Sequence, residues 1–226
     1  MRISFTKCPR VYVPLNVNNQ LFEVVSTVKR LGVTVTQDLK WNTHVENIVQ
    51  KAAKRIYLVL KQLKPAVVDP RSLIRFYCSC IRSVLQYACQ AFHTSLPQYL
   101  SDDIEHIQKR ALRIIYQHLS YNVNLKRADL ETLYERRTML CEKLFSNIVS
   151  NPHHKLAELL PVENRNSYNL THNRKFNIKR TKTNRFKNSF IMHILFLLWP
   201  LRCGRFIHYD DIASTRLHYH ITPTCT

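Results

Sequence analysis

Residues 101–119 read SDDIEHIQKRALRIIYQHL, and this stretch decides the fold class. Its apolar residues recur at the spacing of one helix face: Ile104, Ile107, Ala111, Leu112, Ile115 and Leu119. Ser101 followed by Asp102 and Asp103 is typical of a helix start, because negative charge is favourable at the positive end of the helix dipole. The stretch therefore predicts an amphipathic helix with one buried stripe and basic residues on its other side.

The same helical period extends in both directions from this stretch. A helix over residues 42–64 is predicted by its apolar stripe and by the capping-box pattern Thr43-His44-Val45-Glu46. A second helix is predicted from Asp69-Pro70, a cap followed by proline at the first helical position, to about residue 93. Asp129 is expected to cap a further long helix, and a short helical segment is expected over residues 153–160.

Residues 1–40 have a different pattern, in which apolar and polar residues alternate and β-branched residues are frequent, as in Leu31–Val35. We expect two or three antiparallel strands there. The predicted fold class is mainly α with a small N-terminal β region (α+β). The expected organisation is a β region (1–40), a helical domain (41–162), a basic flexible segment (163–190) and an unassigned tail (191–226).

The composition of the 226 residues points to a polyanionic partner. Lys and Arg number 34 against 15 Asp and Glu, which gives a net charge of +19, and the hydrophobic fraction of 45% is enough for a packed core. Nucleic acid is the simplest such partner; the alternative is a fragment separated from acidic partner regions. Only two glycines, Gly32 and Gly204, are present, which excludes the glycine-rich phosphate loops of Rossmann dehydrogenases, P-loop NTPases and protein kinases.

The seven cysteines are scattered singly, and no apolar leader follows Met1. This usage predicts reduced thiols in an intracellular protein. The most apolar run, residues 190–201, is too short to span a bilayer. The sequence therefore predicts a soluble protein of the cytoplasm or nucleus, with no membrane partner.

Several groups of residues imitate catalytic or metal sites. Asp210-Asp211 offers paired carboxylates, but His208 stands where the polymerase motif requires an aromatic residue, so we interpret the pair as chance. His208 and Asp210 with His218 or His220 imitate an iron(II) triad, which needs a β-barrel that this region does not predict.

A zinc set of Cys78, Cys80, Cys89 and His93 is also rejected. On a helix, residues 78 and 80 point about 200° apart, so they cannot share an ion. These cysteines are interpreted as small buried hydrophobic residues, and no cofactor or metal is expected for this chain.

Seven segments, taken in order, resemble the region that follows the palm in non-LTR (LINE-type, jockey-like) retrotransposon reverse transcriptases. These segments are Leu31–Val35, Asp38–Val45, Phe76–Cys89, Ser95–Ser101, Ile107–Ile115, Thr132–Arg137 and Arg185–Phe190. The resemblance implies a helical thumb-like bundle that binds template–primer RNA and DNA next to the palm. It also implies that the fingers and the catalytic palm, with its aromatic-x-Asp-Asp motif, lie outside this chain.

The activity of the parent family is RNA-directed DNA synthesis with Mg²⁺. Because the catalytic carboxylates are missing, we do not expect this chain alone to be an enzyme. The expected function is sequence-independent binding of nucleic acid through phosphates. The alternative is a non-functional or repurposed helical remnant that acts through protein–protein interaction.

The residues predicted to bind nucleic acid are the basic side chains on the polar sides of three helices and in the basic segment. They are Lys51, Lys54, Arg55, Lys61, Lys109, Arg110, Arg113, Arg136, Arg137, Arg180, Lys182, Arg185 and Lys187.

Overall fold

The structure is a computed structural model that describes residues 3–5, 16–21, 23–57, 68–117, 119–163, 176–178 and 180–197. The chain divides into two compact units, Met1–Leu144 and Phe145–Thr226. It is mostly helical with a small N-terminal β region, which confirms the predicted fold class. No helix in the described part of the chain is long and apolar enough to cross a membrane.

The β region consists of two short antiparallel hairpins. Strand β1 (Asn16–Val17) pairs with β2 (Gln20–Leu21), and β3 (Thr27–Arg30) pairs with β4 (Val33–Thr36). The second hairpin turns at Leu31 and Gly32, and Gly32 has a φ of +80°. A Cβ at this glycine would lie 3.2 Å from the Tyr87 ring, whose hydroxyl donates to the carbonyl of Leu31 over 2.9 Å. Tyr87 therefore holds the hairpin against the helices.

Seven helices and one π-helical turn follow in the described residues up to position 150. They are α1 (Asn42–Arg55), α2 (Pro70–Phe76), the π-turn (Tyr77–Arg82), α3 (Ser83–Gln86), α4 (Cys89–Phe92), α5 (Gln98–Ile115), α6 (Tyr121–Ala128) and α7 (Leu133–Ser150). Short 3₁₀ turns cover His93–Ser95 and Ala157–Leu159. Helices α8 (Asn184–Lys187) and α9 (Phe190–Leu197) lie in the second unit.

The core of the first unit is built from the apolar stripes that the sequence predicts. Helix α5 buries Ile104, Ile107, Ala111, Leu112 and Ile115, as expected from its helical period. Ile104, Ile107, Ala111 and Ile115 pack in one cluster with stripes from the other helices, which include Val45, Ala52, Ile56, Tyr77, Ile81, Leu85, Phe92 and Leu133. Burying one such side chain contributes about 1.5 to 3 kcal/mol. Helix α5 is therefore a rigid support for the side chains on its exposed side.

Two predicted helix starts and one predicted capping box are wrong. Helix α1 begins at Asn42 without a side-chain cap, so Thr43 and Glu46 form no capping box. Helix α5 begins one turn before Ser101, directly after Pro97, because the fixed φ of proline leads the chain into the helix. Asp129 has a φ of +52° and ends α6 instead of starting α7. Aspartate tolerates this left-handed conformation better than most residues.

The capping box of the first unit lies at the start of α7. The Thr132 hydroxyl accepts from the Glu135 N–H over 3.2 Å, and the Glu135 carboxylate accepts from the Thr132 N–H over 3.2 Å. Each side chain satisfies a backbone donor of the other residue, which fixes the first turn of α7.

The second predicted helix starts as expected but does not continue as one helix to residue 93. The Asp69 carboxylate accepts from the Arg71 N–H over 3.1 Å, which confirms the cap. Ser79 and Ser83 then donate to carbonyls one turn earlier, a pattern that bends helices, and the chain forms the π-turn. Ala88, with a φ of +52°, separates α3 from α4.

The second unit contains part of the predicted flexible basic segment. Residues 164–175 and 179 of that segment lie outside the described residues. Phe176 is buried and forms a β-bridge with Glu163, and the Thr183 hydroxyl caps α8 by accepting from the Phe186 N–H over 3.2 Å. An apolar anchor and a cap therefore give local structure to a sequence whose composition predicted none.

His44 connects the second hairpin to α1. It is 1% exposed, and its Nδ1 accepts from the Thr34 N–H over 3.3 Å. Its ring packs edge-on against Phe92, with ring centroids 5.0 Å apart. Burial lowers the pKa of His44 below its ordinary value of 6.5.

The burial of His44 predicts a pH-dependent stability. The unfolded chain binds the proton more readily than the folded chain, so the contribution of neutral His44 is complete above about pH 6.5. It should be lost as the pH falls below that value toward the lower pKa of the folded state, because a protonated Nδ1 cannot accept from Thr34. Urea unfolding at several pH values checks this, with His44→Gln as a non-titrating control. Parallel pH profiles for the two proteins would contradict the assignment.

Candidate nucleic-acid interface

The exposed side of α5 carries a cluster of cations on a rigid support. Lys109, Arg110 and Arg113 are exposed, opposite the buried stripe. Arg113 lies in the last turn of α5, where the negative end of the helix dipole favours a positive charge, whereas the first turn contains no acidic residue. Positive charge is therefore concentrated in the C-terminal half of the helix.

Helix α6 brings a second pair of cations to the same corner of the first unit. Lys126 and Arg127 are exposed in its last turn. The Lys109 ammonium lies 5.4 Å from the Tyr121 ring centroid, and the Arg127 guanidinium lies 5.2 Å from the Tyr116 ring centroid. Such contacts attract a cation to the ring face and orient it.

We call this surface the α5–α6 corner, defined by Lys109, Arg110, Arg113, Lys126 and Arg127. Residues 106–128 contain these five basic residues and no Asp or Glu. No acidic residue in this part of the sequence therefore compensates the positive charge of the corner.

A buried glutamine lies directly under the corner. Gln108 is 0% exposed. Its side-chain oxygen accepts from the Tyr77 hydroxyl over 2.6 Å, and its nitrogen donates to the Tyr121 hydroxyl over 3.0 Å and to the Glu131 carbonyl over 2.9 Å. One side chain thereby joins α5 to the π-turn, to α6 and to the loop before α7.

Glu105 extends this network to the start of α7. Its carboxylate accepts from the Tyr121 hydroxyl and from the N–H groups of Leu133 and Tyr134, both over 3.3 Å. A carboxylate is favourable there because the first N–H groups of a helix have no partner within it. Burial and the bond to Glu105 raise the pKa of Tyr121 well above its usual range, so its hydroxyl remains a proton donor. The network fixes the support of the corner.

The other predicted residues are distributed over both units. Lys51 and Lys54 are exposed on α1, whereas Arg55 is half-buried and donates to the Cys80 carbonyl in the π-turn. Lys61 lies outside the described residues. Four further predicted residues are exposed in the second unit: Arg180, Lys182, Arg185 and Lys187.

Arg136 and Arg137 have different environments from those predicted. Arg136 is half-buried and forms a 3.2 Å ion pair with Glu131. Arg137 is completely buried, donates to the Ser101 hydroxyl over 2.8 Å and to His93 Nδ1 over 3.3 Å, and burial lowers its pKa. Adjacent residues on a helix point about 100° apart, so one of the two faces the core. The prediction that Arg137 contacts phosphate is wrong; it connects α7 to α5.

Sequence reasoning missed Lys126 and Arg127 because it treated residues 121–128 as a connection before a helix starting at Asp129. A signal was present. Basic residues in a last turn, followed by a residue that tolerates the left-handed conformation, are typical of a helix end.

The rejected metal sites are only partly within the described residues. Among those residues, no three His, Cys, Asp or Glu side chains are grouped as a metal site requires. Cys89 is buried as interpreted, whereas Cys78 and Cys80 are half-buried in the π-turn. His208, Asp210, Asp211, His218 and His220 lie outside the described residues.

In comparisons with known proteins, no family model, no curated protein and no solved structure matches the chain.

Proposed function

We propose that the chain binds nucleic acid without sequence specificity, through phosphate contacts at the α5–α6 corner. The observation that carries the proposal is five exposed cations on two helices that a buried hydrogen-bond network fixes. Ammonium and guanidinium groups bind phosphate oxygens whatever the base, so such contacts position a strand but do not read its sequence.

The tyrosines at the corner favour backbone contact over base stacking. The rings of Tyr116 and Tyr121 face Arg127 and Lys109, and the Tyr121 hydroxyl is used by the network below. In this arrangement the rings orient cations toward a ligand, and the cations make the contact.

The resemblance to non-LTR reverse transcriptases extends the proposal to a biological partner. In that interpretation the helical unit is thumb-like and binds the template–primer RNA and DNA of an RNA-directed DNA polymerase whose fingers, palm and Mg²⁺ site lie outside this chain. The protein would then act in the cytoplasm or nucleus, where its partner strands occur.

The proposal is tested by the salt dependence of binding to short labelled duplexes and single strands of unrelated sequence. If about five phosphates are neutralised, log K should fall against log salt with a slope of about −4 to −5. Affinities for different sequences should agree within a few-fold. An affinity that does not change with salt concentration would contradict phosphate contact. It would favour the alternative, a helical remnant that binds other proteins.

A further inference from the structure

An exposed phenylalanine in the second unit lies on a short helix whose backbone is held by neighbouring side chains. Phe186, on α8, is 50% exposed. Its N–H donates to the Thr183 hydroxyl over 3.2 Å. Its carbonyl accepts from the Ser189 N–H over 3.1 Å and from the Ser189 hydroxyl over 2.7 Å. Both backbone groups of Phe186 are therefore bonded, and the ring extends from a fixed point of the chain.

The segment that carries Phe186 is anchored at both ends. At its start, Phe176 is buried and forms a β-bridge with Glu163. After Ser189 the chain enters α9, which packs against α8 and buries Leu195 completely. An exposed ring between two buried anchors is presented on a support and not on a free tail.

The same segment is strongly basic. Residues 176–197 contain five Lys or Arg and no Asp or Glu. Arg180, Lys182 and Lys187 are exposed, and all three lie within six residues of Phe186 in sequence. The exposed part of the ring and these cations are not used in packing, because both face solvent. Together they match a ligand that combines anionic groups with flat aromatic groups.

Phe186 differs in this respect from the tyrosines of the α5–α6 corner. The ring centroids of Tyr116 and Tyr121 lie 5.2 Å from Arg127 and 5.4 Å from Lys109, so cations already occupy these rings. The phenylalanine ring has no polar group, and half of the residue remains exposed. It can therefore receive a flat ligand that the corner tyrosines cannot.

We propose that Phe186 is a stacking platform for a base of single-stranded nucleic acid, whose neighbouring phosphates bind Arg180, Lys182 and Lys187. Stacking on an aromatic side chain tolerates every sequence because every base has a π face, and a positive surface along the backbone commonly accompanies it. The bases of a duplex already stack on one another, so the platform selects single strands. The site goes beyond the proposed function, since it lies in the second unit and does not use the α5–α6 corner.

Abasic strands separate stacking from phosphate contact. Fluorescence anisotropy compares a labelled single strand of about eight nucleotides with an abasic strand of the same length, which has phosphates but no bases. Phe186→Leu should weaken binding of the base-containing strand about fivefold or more, and should leave binding of the abasic strand and of a duplex unchanged. The matched control Phe5→Leu, at a position 49% exposed in the first unit, should change none of these affinities.

Two results with Phe186→Leu would overturn the platform. One is an affinity for the base-containing strand equal to that of the parent. The other is an equal loss for the base-containing and abasic strands, which would assign the effect to a structural change in the second unit.

Phe186→Trp gives a readout that does not depend on a loss of affinity. The introduced indole should be quenched more strongly by the base-containing strand than by the abasic strand, because only a base can stack on it. Phe5→Trp controls for the two natural tryptophans and should show the same quenching with both strands. Equal quenching by the two strands in Phe186→Trp would contradict stacking.

Charge removal beside the ring tests the phosphate contacts. Lys182→Gln with Lys187→Gln should lower the magnitude of the slope of log K against log salt by about 1.8, or 0.9 for each contact, with both strands. Lys29→Gln with Arg30→Gln removes the same charge at exposed positions of β3 and should change the slope by less than about 1. A slope equal to that of the parent after the Lys182 and Lys187 changes would overturn these contacts.

The platform is tested independently of the corner in a protein that lacks the corner charges Lys109, Arg110 and Arg113. In that background Phe186→Leu should weaken binding of the base-containing strand by the same factor as in the parent, and should again leave the abasic strand unchanged. This result is expected whether or not the corner binds nucleic acid. If Phe186→Leu does not separate the two strands in this background, the platform is overturned, and phosphate contact at the corner still stands or falls by its own variant.

Discussion

Replacing Gln108 with leucine should lower the free energy of unfolding by about 3 to 5 kcal/mol. The substitution removes three hydrogen bonds at a fully buried position and leaves the Tyr77 hydroxyl and the Glu131 carbonyl without their partner. Each buried polar group left unpaired costs about 1 to 3 kcal/mol. Urea unfolding followed by circular dichroism measures the loss.

Two further variants identify the cause of the stability loss in Gln108→Leu. Gln50→Leu makes the same chemical change at an exposed position of α1 and should alter stability by less than about 0.5 kcal/mol. Adding Tyr77→Phe to Gln108→Leu should cost less than the sum of the single changes, because the pair shares one hydrogen bond. A loss below about 1 kcal/mol for Gln108→Leu would show that the network is not what fixes the corner.

The largest expected effect on binding comes from the corner variant, Lys109→Gln with Arg110→Gln and Arg113→Gln. At about 0.1 M salt, each phosphate contact contributes roughly eightfold through counterion release, so losing three contacts should weaken binding about 10² to 10³-fold. The buried stripe of α5 is unchanged, so the thermal midpoint should stay close to that of the parent. Fluorescence anisotropy with a labelled duplex measures the affinity.

A matched control removes the same charge elsewhere in the first unit. The control variant is Lys29→Gln with Arg30→Gln and Arg71→Gln, all exposed on β3 and α2 and outside the predicted interface. We expect it to weaken binding less than about tenfold, since it changes only the long-range field. Equal losses in the two variants would assign binding to net charge and not to the corner.

The sequence predicts the elements whose signal is local and long. The stripe of α5 repeats over more than four turns, so its helix and its buried face were both predictable. The breaks at Ala88 and at the π-turn were not predictable, because none of their features interrupts the apolar period. Ala88 has a left-handed conformation although it is not glycine, and the bonds at the π-turn come from the Ser79 and Ser83 hydroxyls and from Arg55. The adjacent cations Arg136 and Arg137 also look alike in sequence until packing buries one of them.

The candidate interface was predictable in part for the same reason. Lys109, Arg110 and Arg113 lie on the polar side of a strong stripe, which is a local pattern. The network beneath them is not local, since Gln108 bonds to Tyr77 and Tyr121, which are 31 and 13 residues away in sequence. Composition suggests that the surface binds a polyanion, whereas only tertiary structure shows what holds that surface in place.

The salt dependence of binding, compared between the parent protein and the corner variant, tests phosphate contact at the α5–α6 corner most directly. Each lost contact removes about 0.9 from the slope of log K against log salt, so the magnitude of the slope should fall by about 2.7. The control variant should change it by less than about 1, and the reduction should be the same for unrelated sequences. A corner variant whose slope equals that of the parent would contradict the account.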